Sequence, residues 1–405
     1  MTTESVRPTA ADGTEEGAPR RNVSHRAWAA SVRPGARVLP EHARAHNRAL
    51  VLQTLYRSAG LSRADLAREV GLTRVTISDL VADLIAQHLV IELGIRNDAR
   101  PGKPATLLDI NRTGFAIVGI DLSYDSIFRG ALMDLDGTVL HREQLDVTGV
   151  SGEASVGAVT ELLDRLLQRA TAPVLGVGIG SPGVVNAAGT VLSAPNFGWT
   201  DVPLQAILAA HCSLPVQVAN DANVAALAER TFGAGDADMI LIRVGRGVGA
   251  GVVIAGTLVQ GARSAAGEIG HVVVGTDGGE LCACGKHGCL ETWLAIPRLQ
   301  ARLDAVASHE PVTADAREAV LAESGQRLGI ALAPVVGALN LGEVVLSGPL
   351  DLLDGRLLAS TAETLRNRTI AEFHGDLTLR MTTLGRDIVV LGAAVMVLTG
   401  QLGVS

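Results

Sequence analysis

Aromatic residues make up only 2% of the 405-residue chain: five Phe, three Trp and two Tyr. Lysine is scarcer still, with Lys103 and Lys286 the only two among 34 basic residues. There are four cysteines. No run of about 18 apolar residues occurs, and the N-terminus lacks an apolar signal core. Each shortage excludes a class. Without an apolar run or leader, a cytoplasmic protein with no membrane partner is expected. Four cysteines in so long a chain do not make a disulfide scaffold. Few aromatics beside 47% hydrophobic residues and 46 Gly suit an α/β core rich in Ala, Val, Leu and Gly, and not a disordered protein. The length leaves room for two or three domains.

The net charge of −8 is unevenly spread. Residues 1–105 hold 15 Arg and Lys against 11 Asp and Glu, a net of +4, so the remainder carries −12. A basic head on an acidic body fits a head that meets phosphate, though +4 over a hundred residues is also ordinary.

Residues 1–40 are Thr-, Ala-, Arg-, Gly-, Glu- and Pro-rich without apolar periodicity, and read as a flexible tail. A helix is expected from Arg44. Ser62 is an N-cap candidate, with Asp65 as its acidic partner in the first turn. Gly71 breaks that helix like a helix-turn-helix corner, and Thr73 caps the next. Val75 or Ile77, with Leu80, Val81, Leu84 and Ile85, forms its buried stripe. Arg74, Thr76 and Ser78 are left on the turns that a recognition helix presents to a major groove. Arg63 and Thr73, at the two helix starts, complete that face. Two short strands, Leu89–Glu92 and Thr106–Asp109, flank a Pro/Gly-rich tip with Arg100 and Lys103, placed for phosphate or a minor groove. The order reads as a winged helix-turn-helix over 41–110. A small helical protein-interaction module is the alternative.

From Phe115 the pattern turns to strands and helices. Ile117–Leu122, Ile127–Asp134 and Val139–Leu145 form a meander, followed by a helix over Ser155–Ala170 and a strand over Val174–Gly180. A similar unit recurs at Ile240–Val244, Gly249–Ala255 and Thr257–Gln260. Helices over Ile296–Ala307 and Arg317–Leu339, a strand at Val344–Ser347 and a helix at Ile388–Leu398 come after it. The duplication predicts a two-lobed actin-like ATPase fold with a cleft between lobes. The body would span 111–405: a first lobe of about 111–220 plus 386–405, and a second of about 221–385. The head joins it through the short stretch Asp109–Gly114.

Within the second unit, Cys282-x-Cys284-x4-Cys289 follows His271 by eleven residues. Four nitrogen and sulfur donors in so short a span suit tetrahedral zinc, and Gly285 and Gly288 permit the turns that bring thiolates together. A disulfide, or three buried thiols, is the alternative. Glu268 and Glu291 flank the donors, where they could face a polyhydroxylated ligand. Asn220 and Asp221 follow the strand Val216–Ala219, where they could bind a ligand or simply cap a helix.

Glu268-Ile269-Gly270-His271 with Cys282-Ala283-Cys284-Gly285-Lys286-His287-Gly288-Cys289-Leu290-Glu291 resembles the signature of the ROK family of repressors, uncharacterised reading frames and sugar kinases. The resemblance covers about residues 44–400 and implies an actin-like (ribonuclease H-like) body with a zinc knot. It implies zinc on His271, Cys282, Cys284 and Cys289, and sugar hydroxyls on Glu268, His271, Glu291, Asn220 and Asp221. Imidazole serves both because one nitrogen binds metal and the other faces the ligand. The winged head resembles that of the family's repressors, which its kinases lack. In the kinases the Asp at position 221 is the catalytic base.

The chain departs from the kinases at the phosphate loops. Where they carry Asp-x-Gly-Gly-Thr it reads Asp121-Leu122-Ser123-Tyr124-Asp125. Both glycines and the Thr are gone, and Asp125 adds negative charge. The second loop, Gly245-Arg246-Gly247-Val248-Gly249-Ala250-Gly251, keeps its glycines with Arg246 for the usual Thr. The expected function is therefore a sugar-responsive repressor without catalytic residues, Asp221 being a vestigial base. Zinc is its cofactor, and its partners are operator DNA of inverted-repeat form, a sugar or sugar derivative, and further copies of the chain as a dimer or tetramer. A sugar kinase with a DNA-binding head, or a regulator answering to a protein partner only, are the alternatives.

Overall fold

The computed structural model describes residues 40–95, 105–124, 126–275, 279–308, 314–370, 372 and 375–404. The expected tail up to residue 39, the wing tip with Arg100 and Lys103, and Asp125 lie outside the described residues.

The N-terminal module runs α1 (Pro40–Arg57), β1 (Leu61–Ser62), α2 (Arg63–Glu69), α3 (Arg74–Ala86), β2 (Val90–Ile95) and β3 (Thr106–Ile110). The Ser62 side chain accepts from the Asp65 amide while Asp65 accepts from the Ser62 amide, so a capping box starts α2. Gly71 takes φ +70, the left-handed corner that glycine adopts without strain. Thr73 then caps α3, its Oγ1 accepting from the Thr76 amide at 3.2 Å. Ile77, Leu80, Val81 and Leu84 make the buried stripe. Val75, the sequence's alternative to Ile77, is instead 71% exposed. The three strands form an antiparallel sheet in the order β1-β3-β2, completing the winged helix-turn-helix.

The body repeats one connectivity twice. β4 (Ala116–Asp121), β5 (Ile127–Met133) and β6 (Val139–Asp146) form an antiparallel meander. After α4 (Glu153–Arg169), β7 (Val174–Ser181) pairs parallel with β4. A small sheet of β8 (Val184–Val185), β9 (Val191–Ala194) and β10 (Trp199–Val202) intervenes. Then come α5 (Leu204–Cys212), β11 (Val216–Asn220) parallel to β7, and α6 (Asp221–Phe232), giving the order β11-β7-β4-β5-β6. The second sheet starts with the meander β12 (Met239–Val244), β13 (Val248–Ile254) and β14 (Thr257–Leu258). α7 (Leu290–Leu294), α8 (Ile296–Ala307) and α9 (Ala314–Leu339) follow. β15 (Glu343–Ser347), α10 (Leu350–Leu353), α11 (Arg356–Arg368) and β16 (Thr378–Met381) complete the order β14-β13-β12-β15-β16. Meander first, then two parallel strands beyond its first strand, twice over, is the actin-like fold expected.

The closing helix Ile388–Leu402 ties the parts together. The stretch Gly385–Leu402 is long and apolar enough to cross a membrane, but eleven residues of the helix are buried within the protein. It lies so close to β7 that a Cβ on Gly178 would stand 2.1 Å from the Ala393 carbonyl oxygen. On its other side, a Cβ on Gly392 would stand 1.8 Å from the Val224 carbonyl oxygen of α6. Its C-terminal end reaches α1, where the Gln53 amide donates to the Gly403 carbonyl. Val51, Leu52 and Leu55 of α1 share one apolar core with Ile117, Met133, Val397 and Leu402. The Asp109–Gly114 join is therefore no loose tether. Arg112 pairs with Asp109 and Asp136 and donates to the Tyr56 carbonyl at 3.0 Å, while the Tyr56 hydroxyl donates to the Leu135 carbonyl at 2.8 Å.

Candidate functional site

The parallel strands β4, β7 and β11 end side by side, with Asp121 opposite Gly180 and Ser181 opposite Asn220. Carboxyl ends of parallel strands are where open α/β sheets bind ligands. Asn220 caps α6: its Oδ1 accepts from the Ala222 and Asn223 amides at 3.0 and 3.1 Å. Its Nδ2 donates to the Gly183 carbonyl at 2.9 Å. The capping alternative thus describes Asn220. Asp221 differs: Oδ1 accepts from the Ala222 amide at 2.9 Å, while Oδ2 takes Nη1 of Arg243 at 2.9 Å.

Glu268 precedes a short 3-10 turn, Ile269–His271. That turn runs against β13, where Cβ atoms on Gly267 and Gly270 would stand 1.9 and 2.1 Å from the carbonyl oxygens of Ala250 and Val248. Only residues without a side chain allow this approach. Glu291 opens α7, and its Oε2 accepts from the Val248 amide at 3.2 Å. An amide of the glycine-rich loop is thus held by a carboxylate. Burial pushes the Glu268 carboxyl up, His271 opposes it, and Asp221 and Glu291 add to it. The structure therefore brings Asp221, Glu268, His271 and Glu291 close enough to act on one another's charge, with Asn220 Nδ2 donating to Asp221 Oδ1 at 3.2 Å, although they come from two stretches of sequence.

Sequence reasoning missed the group beneath them. Arg243 breaks the apolar strand Met239–Val244, and that break was the available signal. Its side chain is 14% exposed; burial opposes its charge, while Asp221, Asp121 and Tyr124 hold the guanidinium protonated. Asp121 is buried, with Oδ1 taking the Ser123 amide at 2.9 Å and Oδ2 without a hydrogen-bond partner. Burial pushes its carboxyl up, against the pull of Arg243. The Tyr124 ring lies under the Arg129 guanidinium at 4.2 Å, with that of Arg243 at 6.0 Å. An aromatic ring and two guanidiniums thus stand beside the strand end that opens the phosphate loop in related kinases.

His271, Cys282, Cys284 and Cys289 bring their ligand atoms within 4.8 Å of one another. Cys282 Sγ lies 3.5 Å from His271 Nδ1, and Cys284 Sγ 3.6 Å from Cys289 Sγ. Tetrahedral zinc, with Zn–S of about 2.3 Å and Zn–N of about 2.05 Å, requires N···S and S···S edges of about 3.5 and 3.8 Å. The donor set fits a metal ion, and all the cysteines are unbridged thiols. Without an ion, burial pushes Cys289 up to about 12, while the Lys286 backbone hydrogen bond draws Cys284 down to about 7.

On the head, Arg74 and Ser78 are exposed. Thr76 is half-buried, its hydroxyl 2.9 Å from Thr73 Oγ1 in the cap. Arg63 pairs with Glu92 of β2 at 3.0 Å.

This pairing of a winged head with a sugar-kinase-like body has relatives. A xylose repressor from Caldicellulosiruptor bescii is 31% identical over 88% of this chain and 96% of its own length. A glucokinase from Halalkalibacterium halodurans is 31% identical over 69% of this chain and 94% of its own length. The crystal structure of a ROK family transcriptional regulator, a homologue of the Escherichia coli Mlc protein, superposes with a TM-score of 0.80 at 26% identity, covering 89% of this chain and 98% of that one. Residues 117–399 match the profile of the ROK family. With the head present, and 88% of the chain matched to 96% of a repressor, this chain belongs to the ROK family, on the side of its transcriptional regulators.

Proposed function

We propose that this protein is a cytoplasmic, sugar-responsive transcriptional repressor whose body senses a sugar and whose head holds operator DNA. The observation that carries this reading is the Arg243–Asp221 pair. The carboxylate that serves as base in the family's kinases is held at 2.9 Å by a half-buried guanidinium, and Tyr124 stands where a glycine loop would cradle phosphate. A carboxylate oxygen so paired is occupied by the guanidinium, and a loop without glycine cannot close its amides on phosphate. Hydroxyl recognition, by contrast, keeps its residues: Asn220, Asp221, Glu268, His271 and Glu291. Zinc on His271, Cys282, Cys284 and Cys289 would fix the loop that carries Glu268 and Glu291. Arg74 and Ser78 would meet bases, supported by Arg63, Thr73 and Thr76 at the helix starts, with Arg100 and Lys103 anchoring phosphate. One head reads a short site, so a homo-oligomer on an inverted repeat follows.

The two functions are linked through packed helices. Asp221 begins α6, α6 lies on the closing helix at Val224 and Gly392, and the closing helix ends on α1. A sugar that moves Asp221 shifts elements continuous with the head. Linkage is reciprocal: the sugar weakens operator binding by the factor by which operator weakens sugar binding, typically about 5- to 150-fold. Operator affinity measured with and without xylose, glucose and their N-acetyl and phosphate derivatives tests this. One of them should weaken operator binding, and Glu268→Ala should abolish that response while leaving sugar-free operator affinity intact. A sugar that binds the body tightly yet leaves operator affinity unchanged would overturn the reading. The glucokinase relatives favour a second reading, a kinase with a DNA-binding head; sugar phosphorylation lost in Asp221→Asn would establish it.

A further inference from the structure

We propose that Val75 reads the 5-methyl group of thymine in the major groove, a specificity contact that rests on the DNA-binding reading above. Single exposed apolar residues are ordinary on a protein surface, so exposure alone decides nothing. Position does. At about 100° per residue, the buried stripe Ile77, Leu80, Val81 and Leu84 centres about 190° from Val75. Val75 therefore points straight out from the first turn, and Arg74 and Thr76 stand on the flanks. Thr76 is further withdrawn, half-buried, with its hydroxyl held by Thr73 Oγ1 at 2.9 Å. Val75 is the most exposed large apolar side chain among the described residues, at 71%.

The rest of this face is as telling. Ser78, Asp79 and Ala82, one and two turns on, are exposed on the same side as Val75. None is basic, so this face does not serve phosphate, which Lys and Arg hold. It offers a hydroxyl, a carboxylate and methyl groups, the chemistry of base edges. Among the bases, only thymine presents an apolar group in the major groove, so an apolar side chain at the centre of the face selects it. A branched residue is also a poor choice for an exposed helical site on propensity alone, since Ala or Arg would favour the helix more.

The test uses the full-length chain and a duplex sequence that it enriches from a randomised library. Each thymine of that sequence is replaced in turn by uracil, which removes only the methyl group, and affinity is measured at fixed salt. The expected result is at least one position where uracil weakens the wild-type chain about four-fold, the worth of one buried methyl. Val75→Ala should bind thymine DNA more weakly and be indifferent to uracil there; Val75→Thr, which keeps one methyl, should fall between. A wild-type chain indifferent to uracil at every position overturns the proposal, as does a Val75→Ala chain that keeps the full uracil penalty. Failure to enrich any sequence overturns the DNA-binding reading itself, and this one with it.

Discussion

Gly392→Ala adds one methyl group at the crossing of α6 and the closing helix, and its effect can be worked from the contact. The new Cβ would stand 1.8 Å from the Val224 carbonyl oxygen and 2.6 Å from its carbon, where ordinary contact begins near 3.4 Å. The helices must part by about 1.6 Å, the difference between those distances. α6 has little freedom to move. Its first residue is bound to Arg243 at 2.9 Å, and its buried Glu229 is held by Arg380 at 2.7 Å and by Thr382 at 2.6 Å. Overpacking typically costs about 1–3 kcal/mol, and pinning at both ends places this case high in that range. Replacing a helical Gly by Ala returns about 0.5–1 kcal/mol. The net expectation is a loss of about 2 kcal/mol. Gly157→Ala is the control: Gly157 is exposed on α4 with nothing within 4 Å of its added Cβ, so that variant should gain about 0.5–1 kcal/mol. Urea unfolding followed by circular dichroism measures both, compared as midpoints because a chain of several lobes need not unfold in two states. A Gly392→Ala chain as stable as wild type, beside a stabilised Gly157→Ala, would refute the close packing of α6 on the closing helix.

Further outcomes follow from the buried charges and the thiols. Cys284→Ser should lower zinc content from about one ion per chain. A partner that merely orients a ligand is worth about 10- to 100-fold in metal affinity, so losing a ligand should exceed that, as read by competition with a chromophoric chelator. Unchanged zinc affinity would remove Cys284 from the site. Asp121 governs a pH response. Burial raises its carboxyl, so its contribution to stability is fully present below the ordinary carboxylate range and is lost as pH rises through the raised value. The wild-type chain should lose stability relative to Asp121→Asn over that window; a difference that grows in the opposite direction would show that Arg243 outweighs burial.

The head was legible because helix starts and corners are local. Ser62 with Asp65, Gly71 and Thr73 are short-range signals, and each acts within four residues along the chain. The meanders were legible for the same reason, since antiparallel neighbours follow one another in sequence. β16 and the small sheet of β8, β9 and β10 were not. A four-residue strand paired in parallel with β15 across the intervening helices α10 and α11 carries no pattern of its own. The direction of Val75 needed the fold as well, because one position decides whether a residue on α3 meets the core or solvent.

The candidate donors His271, Cys282, Cys284 and Cys289 were singled out by the sequence alone, because one nitrogen and three sulfur donors fall within nineteen residues of glycine-rich chain. Membership of the ROK family was likewise written in those residues. Only the tertiary structure decided what surrounds them. Arg243 reaches Asp221 from another sheet, Glu291 occupies an amide of the glycine-rich loop, and α1 shares its core with the closing helix more than 330 residues later. Those contacts form between segments far apart in sequence, where spacing is silent and the packing of the two sheets and the closing helix fixes which side chains meet.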